Sequence, residues 1–140
     1  MLDAPEDLDL ASTALGIVTG ELEKAETVLA TYFGDAKRLG PQIFDLPVDG
    51  IGLDLVAGPG NRELVKEIPP EKKLQAGIVD ARNTKLESVE SVVQEIETLA
   101  GVVGPERLRV APSCGLEYLP REKARAKLQR LADAVKKVGA

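Results

Sequence analysis

Gly50-Ile51-Gly52-Leu53-Asp54-Leu55-Val56 is a short apolar run with one carboxylate set into it. Gly58-Pro59-Gly60 closes it a residue later. The run is too short for an ordinary helix and is apolar at consecutive positions rather than at alternate ones. That pattern reads as a strand covered on both faces, the habit of parallel sheets. Three further runs have the same character: 27–33 (TVLATYF), 74–80 (LQAGIVD) and 108–112 (LRVAP). Each is aliphatic or β-branched and bounded by turn-forming residues.

Helical patterns lie between these runs. Ser88 stands at an N-cap position with Glu90 in the first turn, where an acid complements the helix dipole. Val89, Val92, Val93, Ile96, Leu99 and Ala100 follow at three- and four-residue spacing, and Gly101 with Gly104-Pro105 is expected to end that helix. A last helix is expected to begin at Pro120, present Ala124, Leu128, Leu131 and Val135 on one face, and cap at Gly139. Shorter helices are expected over 36–45 and 62–68, and another over 11–24, interrupted by Gly16 and Gly20.

The order is therefore one helix and then four βα units, with no linker or internal boundary. Residues 1–140 read as a single α/β domain of parallel strands joined by right-handed crossovers. Four such units are half of a (β/α)8 barrel, which takes about 250 residues. Half a barrel leaves two open sheet edges. The expected partner is the remaining half-barrel or a second copy of the chain. A small doubly wound sheet is the alternative architecture.

Composition narrows the function. Among 140 residues, 44% are hydrophobic and 29% charged, a globular balance, and the absence of Trp makes the core aliphatic. The net charge of −5, with acids and bases interspersed, argues against nucleic acid or an anionic membrane as partner. The basic stretch 121–127 (REKARAK) reads as a solvated helix face. A single cysteine excludes an internal disulfide and fits a cytoplasmic setting. No apolar run approaches the ~20 residues that span a bilayer, and no leader pattern opens the chain.

Ligands of parallel α/β folds gather at the carboxyl ends of the strands. Here those ends carry Thr31, Tyr32 and Asp35, then Asp54, then Asp80, Arg82 and Asn83, then Ser113 and Cys114. The candidate ligand-binding residues are Asp54, Asp80, Arg82, Asn83, Ser113 and Cys114, and a small anion is the expected class of ligand. A carboxylate inside an apolar strand costs roughly several kcal/mol unless it is paired. Asp54 is thus either a structural partner of Arg82 or of backbone amides, or a position for ligand or metal. Cys114 is either a small buried residue or a site residue just past its strand. Zinc takes four ligands, and with no histidine and one cysteine a closed site here would rest on carboxylates. No nucleophile–histidine pair, Walker loop or GxGxxG is present. Gly58-Pro59-Gly60-Asn61 reads as a plain βα turn, with anion binding at a helix N-terminus as the other reading.

These same residues carry a resemblance. Ala30-Thr31-Tyr32-Phe33-Gly34 resembles the "TTYFG" strand in the N-terminal barrel of the cobalamin-independent methionine synthase family. The stretch from Leu46-Pro47-Val48 through Asp54-Leu55-Val56 is similar to its "LPVxGLHVDLV". Ala76-Gly77-Ile78-Val79-Asp80-Ala81-Arg82-Asn83 is similar to "AGLINGRN", and Val110-Ala111-Pro112-Ser113-Cys114-Gly115-Leu116 to "VASSCSL". Leu2-Asp3-Ala4-Pro5 looks like a worn "IDEPAL", with Ala4 at the glutamate. The strings occur in order and in register. The resemblance implies strands five to eight of an eight-stranded barrel.

It also implies a family chemistry, methyl transfer from a methyltetrahydrofolate to homocysteine in methionine biosynthesis. There a zinc held by a His-x-Cys pair, a glutamate and a later cysteine activates the thiol. On this resemblance Cys114 matches the later cysteine and Asp54 the glutamate, one methylene shorter. Leu29 and Thr31 stand where the His-x-Cys pair belongs. The implied zinc ligands are therefore vestigial, no cofactor is expected in this chain, and the non-catalytic barrel is the part implied. In the family that barrel supports the catalytic one and helps hold the folate.

Overall fold

The computed structural model describes residues 7–22 and 24–139. The Leu2–Pro5 motif lies outside them. Four strands, β1 (Val28–Ala30), β2 (Gly50–Asp54), β3 (Lys73–Val79) and β4 (Leu108–Pro112), form one parallel sheet in the order β1-β2-β3-β4. Helix α1 (Asp7–Thr19) precedes β1, α2 (Asn61–Val65) joins β2 to β3, α3 (Val89–Val103) joins β3 to β4, and α4 (Arg121–Val138) follows β4.

The strand order settles the architecture. Right-handed crossovers between successive neighbours all step the same way, so every connection lies on one face of the sheet. A doubly wound sheet reverses its order and places helices on both faces. This chain does not reverse, and it is half of a (β/α)8 barrel.

The two faces of the sheet differ accordingly. Leu29, Ile51, Leu53, Leu74 and Ala76 point to the helical side and pack in one cluster with Ile43, Phe44, Leu64, Leu99 and Val103. Val79 anchors a second cluster with Val92, Ile96, Leu131 and Ala134. Burying an aliphatic side chain contributes about 1.5–3 kcal/mol, so these clusters are the main source of cohesion. The residues of opposite parity, Ala30, Gly50, Gly52, Gln75, Gly77 and Ala111, form the inward face.

The local elements follow the sequence with instructive departures. The Ser88 hydroxyl accepts the Ser91 backbone N–H at 3.1 Å, as an N-cap should. Helix α3 runs through Gly101 and stops at Gly104, whose φ of +87° suits a residue without Cβ. The expected helix over 36–45 is two 3-10 turns, Ala36–Leu39 and Pro41–Asp45, because Pro41 cannot continue the first. Helix α2 covers Asn61–Val65 rather than 62–68, and α1 covers Asp7–Thr19 rather than 11–24. Strand β1 ends at Ala30 instead of residue 33. Thr31 still donates its N–H to Gly52 O, but Phe33 adopts φ +62° and turns the chain away.

The apolar face expected for α4 is corrected. Lys127, Leu131 and Ala134 are buried, whereas Leu128 and Val135 are nearly half exposed. The basic stretch 121–127 is therefore not wholly solvated. The cause is Lys127, whose ammonium donates to Glu87 Oε2 at 3.1 Å and to the Lys85 carbonyl, so the helix rolls to bring it inside. No described helix is long and apolar enough to cross a membrane.

Candidate functional site

The carboxyl ends of the four strands meet at one rim, and a cluster of polar side chains is built there from β2 and β3. Asp54, the last residue of β2, is fully buried. Its Oδ1 accepts the backbone N–H groups of Val56 at 2.9 Å and Ala57 at 2.8 Å. Its Oδ2 accepts Arg82 Nη1 at 3.1 Å. The carboxylate that the apolar run made conspicuous is thus fully engaged by the turn that follows it and by one cation.

Arg82 links this acid to the next. Asp80 Oδ1 accepts the Arg82 backbone N–H at 2.9 Å and lies 3.4 Å from its Nε. Asp80 Oδ2 accepts the Asn83 amide at 2.5 Å, and Asn83 Oδ1 in turn accepts the Lys85 N–H at 2.9 Å. Four of the six expected residues, Asp54, Asp80, Arg82 and Asn83, therefore form one network. Ser113 joins it indirectly: its buried hydroxyl accepts the Ala81 N–H at 3.1 Å and so ties β4 to the loop after β3. Cys114 stands apart. Its sulfur lies 3.6 Å from the Gly115 carbonyl, beside a cavity of about 230 Å³ lined also by Thr31, Gly52, Gln75 and Gly77.

Three residues outside the expected ligand set, Asn61, Asp35 and Glu87, hold the rim together. Asn61 is fully buried; its Nδ2 donates to Asp54 O at 2.8 Å and to Gly34 O at 3.2 Å, while Oδ1 accepts the Ala36 N–H at 2.7 Å. A Cβ on Gly58 would come within 2.2 Å of that amide, which explains the glycine. Asp35 Oδ2 accepts the Gly60 N–H at 2.8 Å, so the Gly58–Asn61 turn is served by the protein's own carboxylate. Glu87 accepts the Asp80 N–H at 3.0 Å as well as the buried Lys127 ammonium. An amide directly after a Gly-Pro-Gly turn was the available signal for Asn61. Lys127 carried no signal, because its partner is 40 residues away.

The opposite, amino-terminal end of the inward face is held by charge. Glu26 pairs with Lys73 and Arg109 at 2.5 Å each. The hydrogen bond from Lys73, aided by the nearby Arg109 charge, holds the Glu26 carboxyl below the usual carboxylate range.

The residues present do not fit a zinc ion. Both oxygens of Asp54 are occupied, the Leu29 side chain packs against the main core, and the Thr31 hydroxyl donates to Gly52 O at 2.8 Å. Among the described residues no group of three or more His, Cys, Asp or Glu is placed to hold a metal. The polar groups of the rim hydrogen-bond largely to one another, with the cavity of about 230 Å³ beside them.

Comparison with known proteins gives this geometry a context. The family described as "Cobalamin-independent synthase, N-terminal domain" matches residues 2–104. The 5-methyltetrahydropteroyltriglutamate–homocysteine methyltransferase of Histophilus somni is 36% identical over 119 residues, covering 85% of this chain and 15% of that protein. The protein of that name from Herpetosiphon aurantiacus is 37% identical over 103 residues, covering 71% and 14%. Among solved structures, a B12-independent methionine synthase from Shewanella sp. W3-18-1, in complex with selenomethionine, superposes with a TM-score of 0.81 at 23% identity. That match covers 96% of this chain and 44% of the other, and it shows a shared fold. The chain spans about 15% of the length of the curated relatives it matches.

Proposed function

This chain belongs to the cobalamin-independent synthase N-terminal domain family, and from that premise we propose that it forms strands five to eight of that family's barrel, an architectural wall without catalytic groups of its own. The whole assembly would transfer a methyl group from a methyltetrahydrofolate to homocysteine. This wall would hold the shape of the barrel mouth and supply rim contacts.

One observation carries the reading: the Asp54–Arg82–Asp80–Asn83 network uses its polar atoms on itself. A catalytic carboxylate or a metal ligand needs a free lone pair aimed at a reacting group. Asp54 is fully buried and accepts three hydrogen bonds, two from backbone N–H groups and one from a guanidinium, so it faces no reacting group and braces the rim. Asp54 and Cys114 are then vestiges of a ligand set rather than a working site. Ligand contact, where it occurs, falls to the outer atoms of Arg82 and Asn83 and to Ser113 and Cys114 beside the cavity, with a small anion such as a folate tail as the ligand. A reducing cytoplasmic setting suits the single thiol.

The test is a chimera. The matching stretch of the Histophilus somni enzyme is replaced by this chain, and methyl transfer and zinc content are measured. Retained turnover with one zinc per chimera is expected, while the isolated chain shows neither turnover nor stoichiometric zinc. Stoichiometric zinc on the isolated chain would reject the architectural assignment. A second reading, a stand-alone half-barrel that pairs with itself, rests on the two open sheet edges and is tested by light scattering on the chain alone.

A further inference from the structure

The loop that carries Arg82 and Asn83 has no backbone scaffold of its own. It runs from the end of β3 to the Ser88 cap of α3, and among the described residues positions 80–87 share no backbone–backbone hydrogen bond. Side chains hold it instead. Asp80 Oδ1 and Asn83 Oδ1 accept the N–H groups of Arg82 and Lys85 from within the loop. The Ser113 hydroxyl accepts that of Ala81 from just past β4. Glu87 Oε1 accepts the Asp80 N–H at 3.0 Å, so one carboxylate joins the two ends of the loop.

Lys127 secures that closure from the helical layer. It stands on α4 and is fully buried, and its ammonium donates to Glu87 Oε1 at 3.2 Å, to Glu87 Oε2 at 3.1 Å and to the Lys85 carbonyl. Every acceptor of this buried cation lies in the loop. A buried ion pair is seldom worth more to stability than apolar side chains of the same volume, because desolvating the charges offsets their attraction. An aliphatic residue at 127 would therefore serve cohesion as well. It could not hold a carboxylate and a carbonyl at set positions, and that is what the lysine adds.

The constraint passes from the base of the loop to its tip. Asp80, whose N–H Glu87 holds, accepts the Arg82 N–H at 2.9 Å and the Asn83 amide at 2.5 Å. Arg82 gives Nη1 to Asp54, and its side chain stays 31% exposed at the rim. We propose that Lys127 is a positioning residue: from α4 it fixes the 80–87 loop and so aims Arg82 and Asn83 at the anionic part of a ligand. This rests on the rim contacts proposed above and adds to them a residue that touches no ligand.

The experiment uses Lys127→Met and Glu87→Gln, made in the full chain and in the chimera described above, with Arg82→Ala as the reference. Glu87→Gln keeps the shape of the loop's closing side chain and carries the test where the Met variant does not fold. In the full chain, amide hydrogen exchange at Asp80, Arg82 and Lys85 is expected to quicken by about tenfold or more in both variants, while exchange in β2 and β3 holds at the parent rate. In the chimera, KM for 5-methyltetrahydropteroyltriglutamate is expected to rise about threefold or more in both variants and in Arg82→Ala, with the loss falling on KM more than on kcat. Unchanged exchange in the loop overturns the proposal. Exchange that quickens equally in loop and strands makes Lys127 a core contact only and overturns it as well. A KM raised by Arg82→Ala but by neither loop variant overturns the positioning role and leaves the rim contacts standing. A KM that Arg82→Ala does not move removes the rim contacts, and this inference with them.

Discussion

Asp54 shows how much one residue can organise. Alone in an apolar strand it was visible from the sequence, because a buried carboxylate demands partners. The partners themselves were only half legible. Arg82 and backbone amides stood among the alternatives, but the choice between brace and ligand required three distances. Replacing Asp54 with Ala leaves the Val56 and Ala57 N–H groups unpaired and frees Arg82. We expect a loss of about 2 kcal/mol or more, read as a shift of the urea midpoint. An unchanged midpoint would show that water replaces the carboxylate without cost. Asn61 was legible only as part of a turn, since nothing in a lone amide states that three backbone groups from separate segments converge on it.

At the scale of elements, the strands and α3 were legible because their signals are local. Apolar runs with turn residues on either side fixed β2, β3 and β4 to within a residue or two. The Ser88 cap marked where α3 begins. Removing that hydroxyl with Ser88→Ala should cost about 1 kcal/mol, measured by thermal or chemical unfolding, with Ser88→Asp restoring most of it. An equal loss in the Asp variant would place the effect elsewhere. What failed was rotation about a helix axis. Leu128 and Val135 look like core from spacing alone, yet a lysine took the inside position because Glu87 and a carbonyl were waiting for it. A buried ion pair between distant segments overrides periodicity, and periodicity gives no hint of it. The break at Phe33 was likewise hidden, since a left-handed Phe has no sequence signature.

For the whole molecule, strand order and open edges were legible as a count of four βα units, and the family resemblance was legible in four strings held in register. Which residues share the inward face was not, because it needs the register of each strand against the next. Overall stability should carry an acid dependence set at the amino-terminal end of the sheet. Asp49 is held below the usual carboxylate range by the Thr27 backbone N–H at 2.7 Å and then by the Thr27 hydroxyl at 2.9 Å. Glu26 is lowered by its Lys73 and Arg109 partners. A carboxyl lowered in the folded state contributes stability above its unfolded value and loses it as pH falls through the folded one. Unfolding midpoints should therefore drop between about pH 5 and about pH 2, and Asp49→Asn should flatten part of that slope. Parallel curves for variant and parent would remove Asp49 from the account.

The amine of Lys127 is sealed between α4 and the loop after β3. An acylating reagent reaches it only when that joint opens. Its labelling rate, set against that of the exposed Lys123 four residues earlier on the same helix, is a built-in clock for how often the last stave of the wall lifts from its neighbour.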